Sequence, residues 1–341
     1  MKNSKAILQV PGTMKIISAE IPVPKEDEVL IKVEYVGICG SDVHGFESGP
    51  FIPPKDPNQE IGLGHECAGT VVAVGSRVRK FKPGDRVNIE PGVPCGHCRY
   101  CLEGKYNICP DVDFMATQPN YRGALTHYLC HPESFTYKLP DNMDTMEGAL
   151  VEPAAMLADV KPGKKIIILG AGCIGLMTLQ ACKCLGATEI AVVDVLEKRL
   201  TMAEQLGATV VINGAKEDTI ARCQQFTEDM GADIVFETAG SAVTVKQAPY
   251  LVMRGGKIMI VGTVPGDSAI NFLKINREVT IQTVFRYANR YPVTIEAISS
   301  GRFDVKSMVT HIYDYRDVQQ AFEESVNNKR DIIKGVIKIS D

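Results

Sequence analysis

The feature that most restricts the fold of this chain is an alternation of strand-like and helix-like segments in its second half. The alternation begins with an apolar run, Lys165–Leu169, of the kind that forms strands buried on both faces of a sheet. Further strand-like runs follow it along the chain, at 190–193, 210–212, 234–237, 257–261 and 279–285. Helix-like segments separate these runs, and one of them is predicted near 243–251. Because strands that alternate with helices form βαβ units, the pattern predicts an α/β domain with a doubly wound parallel sheet.

A glycine-rich turn joins the first of these strands to the helix-like segment that follows, and it fits the pattern G-x-G-x-x-G. In this context the first glycine permits a tight turn and the second lets backbone N–H groups approach a pyrophosphate. The third lets the helix pack on the strand, and the N-terminus of the helix attracts the phosphates. The sequence therefore predicts a dinucleotide site that includes Gly170, Gly172, Cys173, Ile174 and Gly175.

An acidic residue after the second strand bears on which dinucleotide is bound. Asp194 stands at the end of the run 190–193, where a carboxylate accepts hydrogen bonds from the ribose hydroxyls and repels a 2′-phosphate. The sequence therefore favours NAD over NADP. Lys198 and Arg199 lie nearby, and a basic residue there favours NADP, so Arg199 is also a candidate cofactor-binding residue.

The first half of the chain lacks this alternation and has a different sequence pattern. Residues 1–150 hold short β-like runs broken by glycine and proline, which predicts a compact, mostly antiparallel β domain. The tail from 290 ends in a strand-like run, 334–339, that is placed to pair back into this domain. A chain of 341 residues also exceeds the ~250–300 residues at which one core stops growing. We therefore expect two domains, one from 1–151 with 290–341 and one from 152–289.

Four cysteines crowd into one short loop of the first half, and they are Cys95, Cys98, Cys101 and Cys109. Zinc binds thiolates tetrahedrally at ~2.3 Å, and four such ligands leave no open position. The loop therefore predicts a structural zinc site. The alternatives are four free thiols or a nucleic-acid-binding zinc ribbon, but a ribbon needs paired C-x-x-C motifs and a basic face. The net charge of the chain is −4, which disfavours nucleic acid as a partner.

A second set of metal-ligand residue types is dispersed over the chain, as Cys39, His65, Glu66 and Glu152. Cys39 and His65 each lie in a glycine-rich turn. Catalytic zinc sites use three protein ligands and keep one exchangeable position, which a set of this size can supply. Spacing alone leaves each of these turns a candidate only.

Five motifs, taken in their order along the chain, resemble the zinc-containing medium-chain dehydrogenase/reductase family. They are GICGSDVH at 37–44, GHE at 64–66, the four-cysteine loop, VEP at 151–153 and the glycine fingerprint at 170–175. The resemblance covers nearly the whole chain. It implies a GroES-like, mostly β catalytic domain beside a Rossmann NAD-binding domain. It also implies an NAD-linked alcohol dehydrogenase with one catalytic and one structural zinc, assembled as a homotetramer or at least a dimer.

The same resemblance implies roles for the dispersed residues. Cys39 and His65 would be zinc ligands, and Glu66 would be a third ligand or one that exchanges with water. Glu152 would be a ligand or a partner of the zinc-bound water. The further implied residues are Asp42, which would orient His65, Ser41 and His44, which would relay the proton, and Thr117 and Phe114, which would line the substrate pocket.

A segment late in the second half narrows the expected substrate. The residues VFRY at 284–287, followed by Tyr-Pro at 291–292, are similar to those of sorbitol and xylitol dehydrogenases. The similarity implies that Arg286 and Tyr287 contact substrate hydroxyls, and hence that a polyol is oxidised to the ketose. The alternatives are another secondary alcohol, such as butanediol or threonine, and a non-catalytic NAD-binding sensor. Arg286 is also open to a plain surface salt bridge.

One departure from the family pattern concerns the residues after Glu152. The segment 153–161 is shorter than the corresponding family segment by more than one helical turn. We expect such a shortening to move Glu152, narrow the cleft or weaken NAD binding.

The location of the protein is predicted from the absence of targeting signals. The N-terminus lacks the apolar core of a signal peptide, and the longest apolar stretches are too short and too rich in glycine to span a bilayer. The odd count of 11 cysteines suits a reducing compartment. We therefore expect a cytoplasmic protein with no membrane partner.

Overall fold

The computed structural model describes residues 3–155 and 160–340, which cluster into two compact units. Unit 1 holds residues 3–155, 288–301 and 305–340, and unit 2 holds residues 160–287 and 302–304. These bounds differ by a few residues from the predicted domain boundaries at 151/152 and 289/290.

The main sheet of unit 1 has seven strands, six of them in the order β10-β6-β5-β3-β18-β17, with β9 also paired to β3. Their bounds are β3 Glu28–Gly37, β5 Glu66–Val74, β6 Arg86–Ile89, β9 Tyr128–Pro132, β10 Thr136–Lys138, β17 Val309–Asp314 and β18 Lys334–Lys338. All the pairings are antiparallel except that of β17 with β18. The last strand, β18, pairs with β3, so it does return to the first domain as the sequence predicted.

Unit 1 also contains two smaller sheets and six helices. The order β2-β1-β4 forms one sheet and β7-β8 the other, from β1 Asn3–Val10, β2 Thr13–Ala19, β4 Ile61–Gly62, β7 Gly92–Val93 and β8 Asp113–Phe114. The helices are α1 Gly40–Ser48, α2 Arg99–Leu102, α3 Thr145–Ala149, α4 Val151–Ala154, α9 Tyr291–Ser299 and α10 Val318–Asn327. Short 3₁₀ turns lie at Tyr106–Ile108, Glu133–Phe135, Lys306–Met308 and Tyr315–Asp317.

Unit 2 is built on a six-stranded sheet in which every pairing is parallel, in the order β13-β12-β11-β14-β15-β16. Its strands are β11 Lys165–Leu169, β12 Glu189–Asp194, β13 Val210–Asn213, β14 Ala232–Glu237, β15 Val252–Ile260 and β16 Thr280–Thr283. The helices are α5 Cys173–Cys184, α6 Glu197–Gln205, α7 Thr219–Phe226 and α8 Ala242–Gln247. The strand order reverses between β11 and β14, as in a Rossmann sheet, so the predicted doubly wound α/β fold is confirmed.

The central strand of this sheet shows why the fold forms. The last four residues of β11, 166–169, are fully buried, because β12 and β14 flank the strand and α5 packs against it. The sequence-based bounds differ from those observed at two places. The predicted helix 243–251 ends at Gln247 and continues as the 3₁₀ turn Ala248–Tyr250, since Pro249 has no N–H for an α-helical bond. The predicted strand 279–285 is shorter, as β16.

The shortened segment that follows Glu152 is described only in part. Helix α4 is part of unit 1 and ends at Ala154, and residues 156–159 lie outside the described residues. Among the helices that the structure does describe, none has both the length and the apolar character needed to cross a membrane.

Candidate functional site

Three of the predicted catalytic-zinc ligands meet at one end of the β3–β5 pair. Cys39 follows β3 and caps α1, His65 directly precedes β5, and Glu66 is the first residue of β5. The ligand atoms of these three residues all lie within 4.8 Å of one another. Antiparallel pairing produces this meeting, because it sets Gly37 opposite Glu66. A Cβ on Gly37 would lie 2.0 Å from Glu66 Oε2, so the site requires glycine there.

Asp42 holds the imidazole of His65 in place. Its Oδ1 lies 3.5 Å from His65 Nδ1 and accepts the Gly64 N–H at 2.8 Å, while Oδ2 accepts the Cys39 N–H at 3.3 Å. Burial opposes the charged form of His65, but the Asp42 carboxylate and the Cys39 sulfur outweigh it and raise the pKa of His65. Because Nδ1 faces Asp42, Nε2 is the nitrogen that remains to face a metal.

A buried lysine that the sequence analysis missed completes this cluster. Lys334 Nζ donates to Glu66 Oε1 at 2.7 Å and to the Ile38 carbonyl at 3.0 Å. Lys334 is 3% exposed and Glu66 1%, so both charges of the pair are out of water. The only signal in the sequence is a lysine at the start of the apolar C-terminal strand β18. Lys334 thus ties the turn before Cys39 to the carboxylate of Glu66.

The donor set of the cluster suits zinc. A thiolate, an imidazole and a carboxylate are all ligands that zinc accepts, and three protein ligands leave one position open. Among the described residues Glu152 is not part of this ligand group, although it is buried in α4. The arrangement therefore favours Glu66 over Glu152 as a third ligand, and both roles stay predictions.

The residues predicted to relay the proton and to line the pocket differ in their exposure and in what they contact. Ser41 and His44 both lie on α1, three residues apart and hence on one face of the helix. Ser41 is exposed, while His44 is half-buried and stacks on Phe51 with ring centroids 3.9 Å apart. Phe114 packs against His65 at a centroid distance of 5.7 Å. Thr117 is placed one turn beyond Phe114, its N–H donating to the Phe114 carbonyl at 3.2 Å.

The four cysteines of the loop 95–109 converge on one point. Sulfur–sulfur distances are 3.4 Å for Cys98 and Cys101, 3.9 Å for Cys98 and Cys109, and 4.0 Å for Cys95 and Cys101. A tetrahedral ZnS₄ site with bonds of ~2.3 Å has sulfurs about 3.8 Å apart. The loop therefore fits the predicted structural zinc. The structure forms no disulfide among these thiols.

The glycine fingerprint occupies the turn from β11 into α5. Gly172 caps α5, whose first residues are Cys173 and Ile174, and Gly170 has φ of +104°. A Cβ on Gly175 would lie 2.0 Å from the Gly170 carbonyl oxygen, so the close crossing of helix and strand requires glycine. These are the features that the predicted dinucleotide site needs.

Asp194 ends β12 beside this turn. Its Oδ2 accepts the Ala171 N–H at 2.7 Å, and its Oδ1 accepts N–H groups of the next turn, from Val195 at 2.8 Å and Leu196 at 3.0 Å. The guanidinium of Arg199 lies 3.9 Å from Asp194 Oδ2. The structure therefore places both predicted ribose-site residues together at the carboxyl end of the sheet.

The predicted substrate residues follow β16. Tyr287 is buried, and the Arg286 guanidinium lies over the ring of Phe285 at 4.7 Å. The backbone of Arg286 is left-handed, with φ of +52°. The role of the pair in binding substrate stays a prediction, and a surface salt bridge of Arg286 stays an alternative.

Comparison with known proteins places both units in described families. Residues 25–141 match the alcohol dehydrogenase GroES-like domain, and residues 173–300 match the zinc-binding dehydrogenase family. A zinc-type alcohol dehydrogenase-like protein of Escherichia coli (strain K12) is 98% identical over 347 residues, covering 100% of both chains.

Two further similarities extend this result. Sorbitol dehydrogenase of Bacillus subtilis (strain 168) is 41% identical over 351 residues, which cover 97% of this chain and 96% of that protein. The crystal structure of an oxidoreductase/dehydrogenase of unknown specificity from Escherichia coli superposes with a TM-score of 0.99. It is 97% identical, and the match covers 100% of each chain.

Proposed function

Since this chain belongs to the zinc-containing medium-chain dehydrogenase/reductase family, near the polyol dehydrogenases, we propose that it oxidises a polyol such as sorbitol or xylitol to the ketose. The family makes the chain an oxidoreductase that acts on CH–OH groups with zinc and a nicotinamide dinucleotide. The single observation that carries the proposal is the convergence of Cys39, His65 and Glu66 beside Asp42.

Cys39 Sγ, His65 Nε2 and a Glu66 oxygen would hold the catalytic zinc. Zinc supplies Lewis-acid chemistry when bound, which lowers the pKa of the substrate hydroxyl toward neutrality. Asp42 fixes the tautomer of His65, so the lone pair of Nε2 stays available to the metal. Glu152 would then serve as a polar partner near the open position rather than as a ligand.

The proton of the substrate hydroxyl needs a route to solvent. Ser41 Oγ would accept it and hand it to His44, directly or through the cofactor ribose, and the imidazole of His44 would release it to water. The placement of both residues on one face of α1 supports this order. The fingerprint turn and Asp194 would hold NAD, which would supply the acceptor for the hydride of the substrate carbon.

Arg286 and Tyr287 would bind the remaining hydroxyls of the polyol. A polyol presents several hydroxyls beyond the reacting one, and a site selects it by offering several polar partners. A guanidinium with five N–H donors and a phenol meet that need. Support for this substrate class comes from the 41% identity with a sorbitol dehydrogenase.

The proposal is tested by measuring NADH formation with sorbitol, xylitol, 2,3-butanediol and threonine on protein assayed for zinc. We expect turnover of a polyol that disappears in Cys39→Ser together with the catalytic zinc. Cys130→Ser is the matched control, because Cys130 is half-buried and stands outside both cysteine clusters. Oxidation of butanediol or threonine alone would mean that the substrate is another secondary alcohol and not a polyol. NAD binding without any turnover would contradict the proposal that the protein is an enzyme.

We also propose that the protein is cytoplasmic and assembles as a homotetramer. The edge strand β16 is the candidate contact between subunits, because it has a partner on one side only and is followed by the exposed Phe285. Light scattering on the purified protein measures the assembly, and Phe285→Ser is expected to weaken it. A wild-type monomer would contradict this part of the proposal.

A further inference from the structure

The four-cysteine loop contacts the chain again at a residue far along the sequence, Asn289. The backbone N–H of Asn289 donates to the Tyr106 hydroxyl at 2.6 Å, and its side-chain amide donates to the Gly104 carbonyl at 3.2 Å. Both acceptors lie between Cys101 and Cys109 in the sequence, so they belong to the part of the loop that the thiolates close. The loop therefore holds Asn289 by its backbone and by its side chain.

Tyr106 is itself fixed by a buried carboxylate. Its hydroxyl donates to Glu90 Oε1 at 2.8 Å, and the hydroxyl of Tyr137 donates to Glu90 Oε2 at the same distance. Glu90 is 1% exposed, and burial raises its pKa although the two tyrosine hydroxyls lower it. Because the Tyr106 proton points at Glu90, a lone pair of the hydroxyl faces Asn289 and accepts its N–H. The direction of the bond is thus set by Glu90.

The segment that ends at Asn289 has an unusual backbone. The φ angle is +52° at Arg286 and +59° at Asn289, in the left-handed region that residues with a side chain rarely adopt. Such conformations persist where surrounding contacts hold them. At Asn289 those contacts are the bonds to Tyr106 and Gly104, and Tyr287 lies buried between the two left-handed residues. The loop therefore fixes the chain two residues after the Arg286–Tyr287 pair.

We propose that Tyr106 and Asn289 are positioning residues for substrate specificity, through which the four-cysteine loop sets the conformation of the Arg286–Tyr287 pair. The role of that pair rests on the proposed function, whereas the hold on Asn289 rests on the contacts just given. Releasing the hold weakens recognition of the extra hydroxyls of a polyol. It leaves the chemistry at the reacting hydroxyl unchanged, because neither residue belongs to the Cys39 cluster.

The test compares Tyr106→Phe with a matched control, Tyr137→Phe. Each variant removes one hydroxyl from Glu90, but only the first removes the acceptor of the Asn289 N–H. Two quantities are measured, amide hydrogen exchange in peptides covering 285–290 and KM with kcat for a polyol and for a secondary alcohol with one hydroxyl. In Tyr106→Phe we expect exchange about tenfold faster and a polyol KM raised about five- to tenfold. The KM of the simple alcohol and kcat stay constant, and Tyr137→Phe behaves as wild type.

Each result decides the matter. Unchanged exchange at 285–290 in Tyr106→Phe overturns the proposal, and so does a KM that rises equally for both alcohols. Wild-type protein that oxidises no polyol contradicts the proposed function, and the exchange data then still support or overturn the hold on Asn289. If Tyr106→Phe fails to fold, Asn289→Gly serves instead. It keeps the backbone N–H and the left-handed φ, loses the bond to Gly104, and is expected to show a smaller effect in the same direction.

Discussion

At the scale of single residues, the candidate metal cluster depends on a partner that has no metal-ligand chemistry of its own. Lys334 neutralises Glu66 inside the protein and also donates to the Ile38 carbonyl, in the turn before Cys39. Removing one member of a buried ion pair leaves the other charge without water or partner, which is costly. Lys334 is therefore expected to matter for stability even without metal.

Lys334→Met is expected to lower the free energy of unfolding by about 3–5 kcal/mol, because Glu66 becomes an uncompensated buried carboxylate. Lys334→Arg keeps the charge and is expected to lose less. Urea unfolding of metal-depleted protein measures the difference. If Lys334→Met is as stable as the wild type, the prediction that the Lys334–Glu66 pair stabilises the folded protein is wrong.

Asp194 is the residue that should decide between the two dinucleotides. Asp194→Asn keeps the shape and an oxygen acceptor for the neighbouring N–H groups but removes the negative charge that repels a 2′-phosphate. With Arg199 close by, we expect the ratio of kcat/KM for NAD to that for NADP to fall about tenfold or more. The measurement is steady-state kinetics with both dinucleotides. An unchanged ratio would mean that Asp194 does not face the ribose.

At the scale of elements, the strand–helix alternation was enough to predict the parallel sheet, because buried strands and a glycine fingerprint are local signals. The C-terminal strand was also predicted to return to the first domain. The pairing partner of that strand could not be predicted from the sequence. A register that joins Val336 to Gly37 depends on contacts between distant segments. For the same reason no sequence pattern pointed to Lys334 or Tyr106.

His131, which lies in β9, is expected to make the stability of the folded protein depend on pH. It is buried, its Nε2 lies 2.9 Å from the Glu90 carbonyl, and burial lowers its pKa to about 4 from 6.5. The unfolded chain therefore binds a proton at a higher pH than the folded one. Stability from this group is complete above about pH 6.5 and is lost as the pH falls toward about 4, by up to about 3 kcal/mol.

The variant His131→Asn keeps a neutral donor and removes that titration. Its unfolding free energy is expected to fall less than that of the wild type between neutral pH and the lower end of this window. Glu90 has a raised pKa and contributes with the opposite sign, equally in both proteins. Parallel curves of stability against pH, measured by urea unfolding, would show that His131 is not held neutral.

At the scale of the whole molecule, the chain has two candidate metal sites that differ in the number of ligands that the protein supplies. The Cys39 cluster offers three ligands and an open position, whereas the four-cysteine loop closes its site with thiolates. Folding and metal binding are expected to be coupled for the closed site, because four thiolates meet around a metal only in the folded loop. The two sites should therefore respond differently to the loss of one ligand.

Cys98→Ser is expected to lose zinc from the loop only and to lower the midpoint of thermal unfolding, by about 2–4 °C for each kcal/mol of stability lost. Zinc analysis and thermal unfolding, with Cys130→Ser as control, measure both effects. Full zinc content in Cys98→Ser, or loss of zinc from both sites together, would contradict the assignment of two independent metals.

The position of Lys334 in the last strand has a consequence for synthesis on the ribosome. Cys39, His65 and Glu66 emerge early, and their strands β3 and β5 are complete long before β18 exists. Until residue 334 has left the exit tunnel, the carboxylate of Glu66 lacks its ammonium partner, and the carboxyl end of β3 lacks its pairing with β18. A nascent chain thus carries the parts of its reaction centre but gains the finished centre only once β18 has been made. A message broken before that codon would yield a protein in which Glu66 lacks its buried ammonium partner.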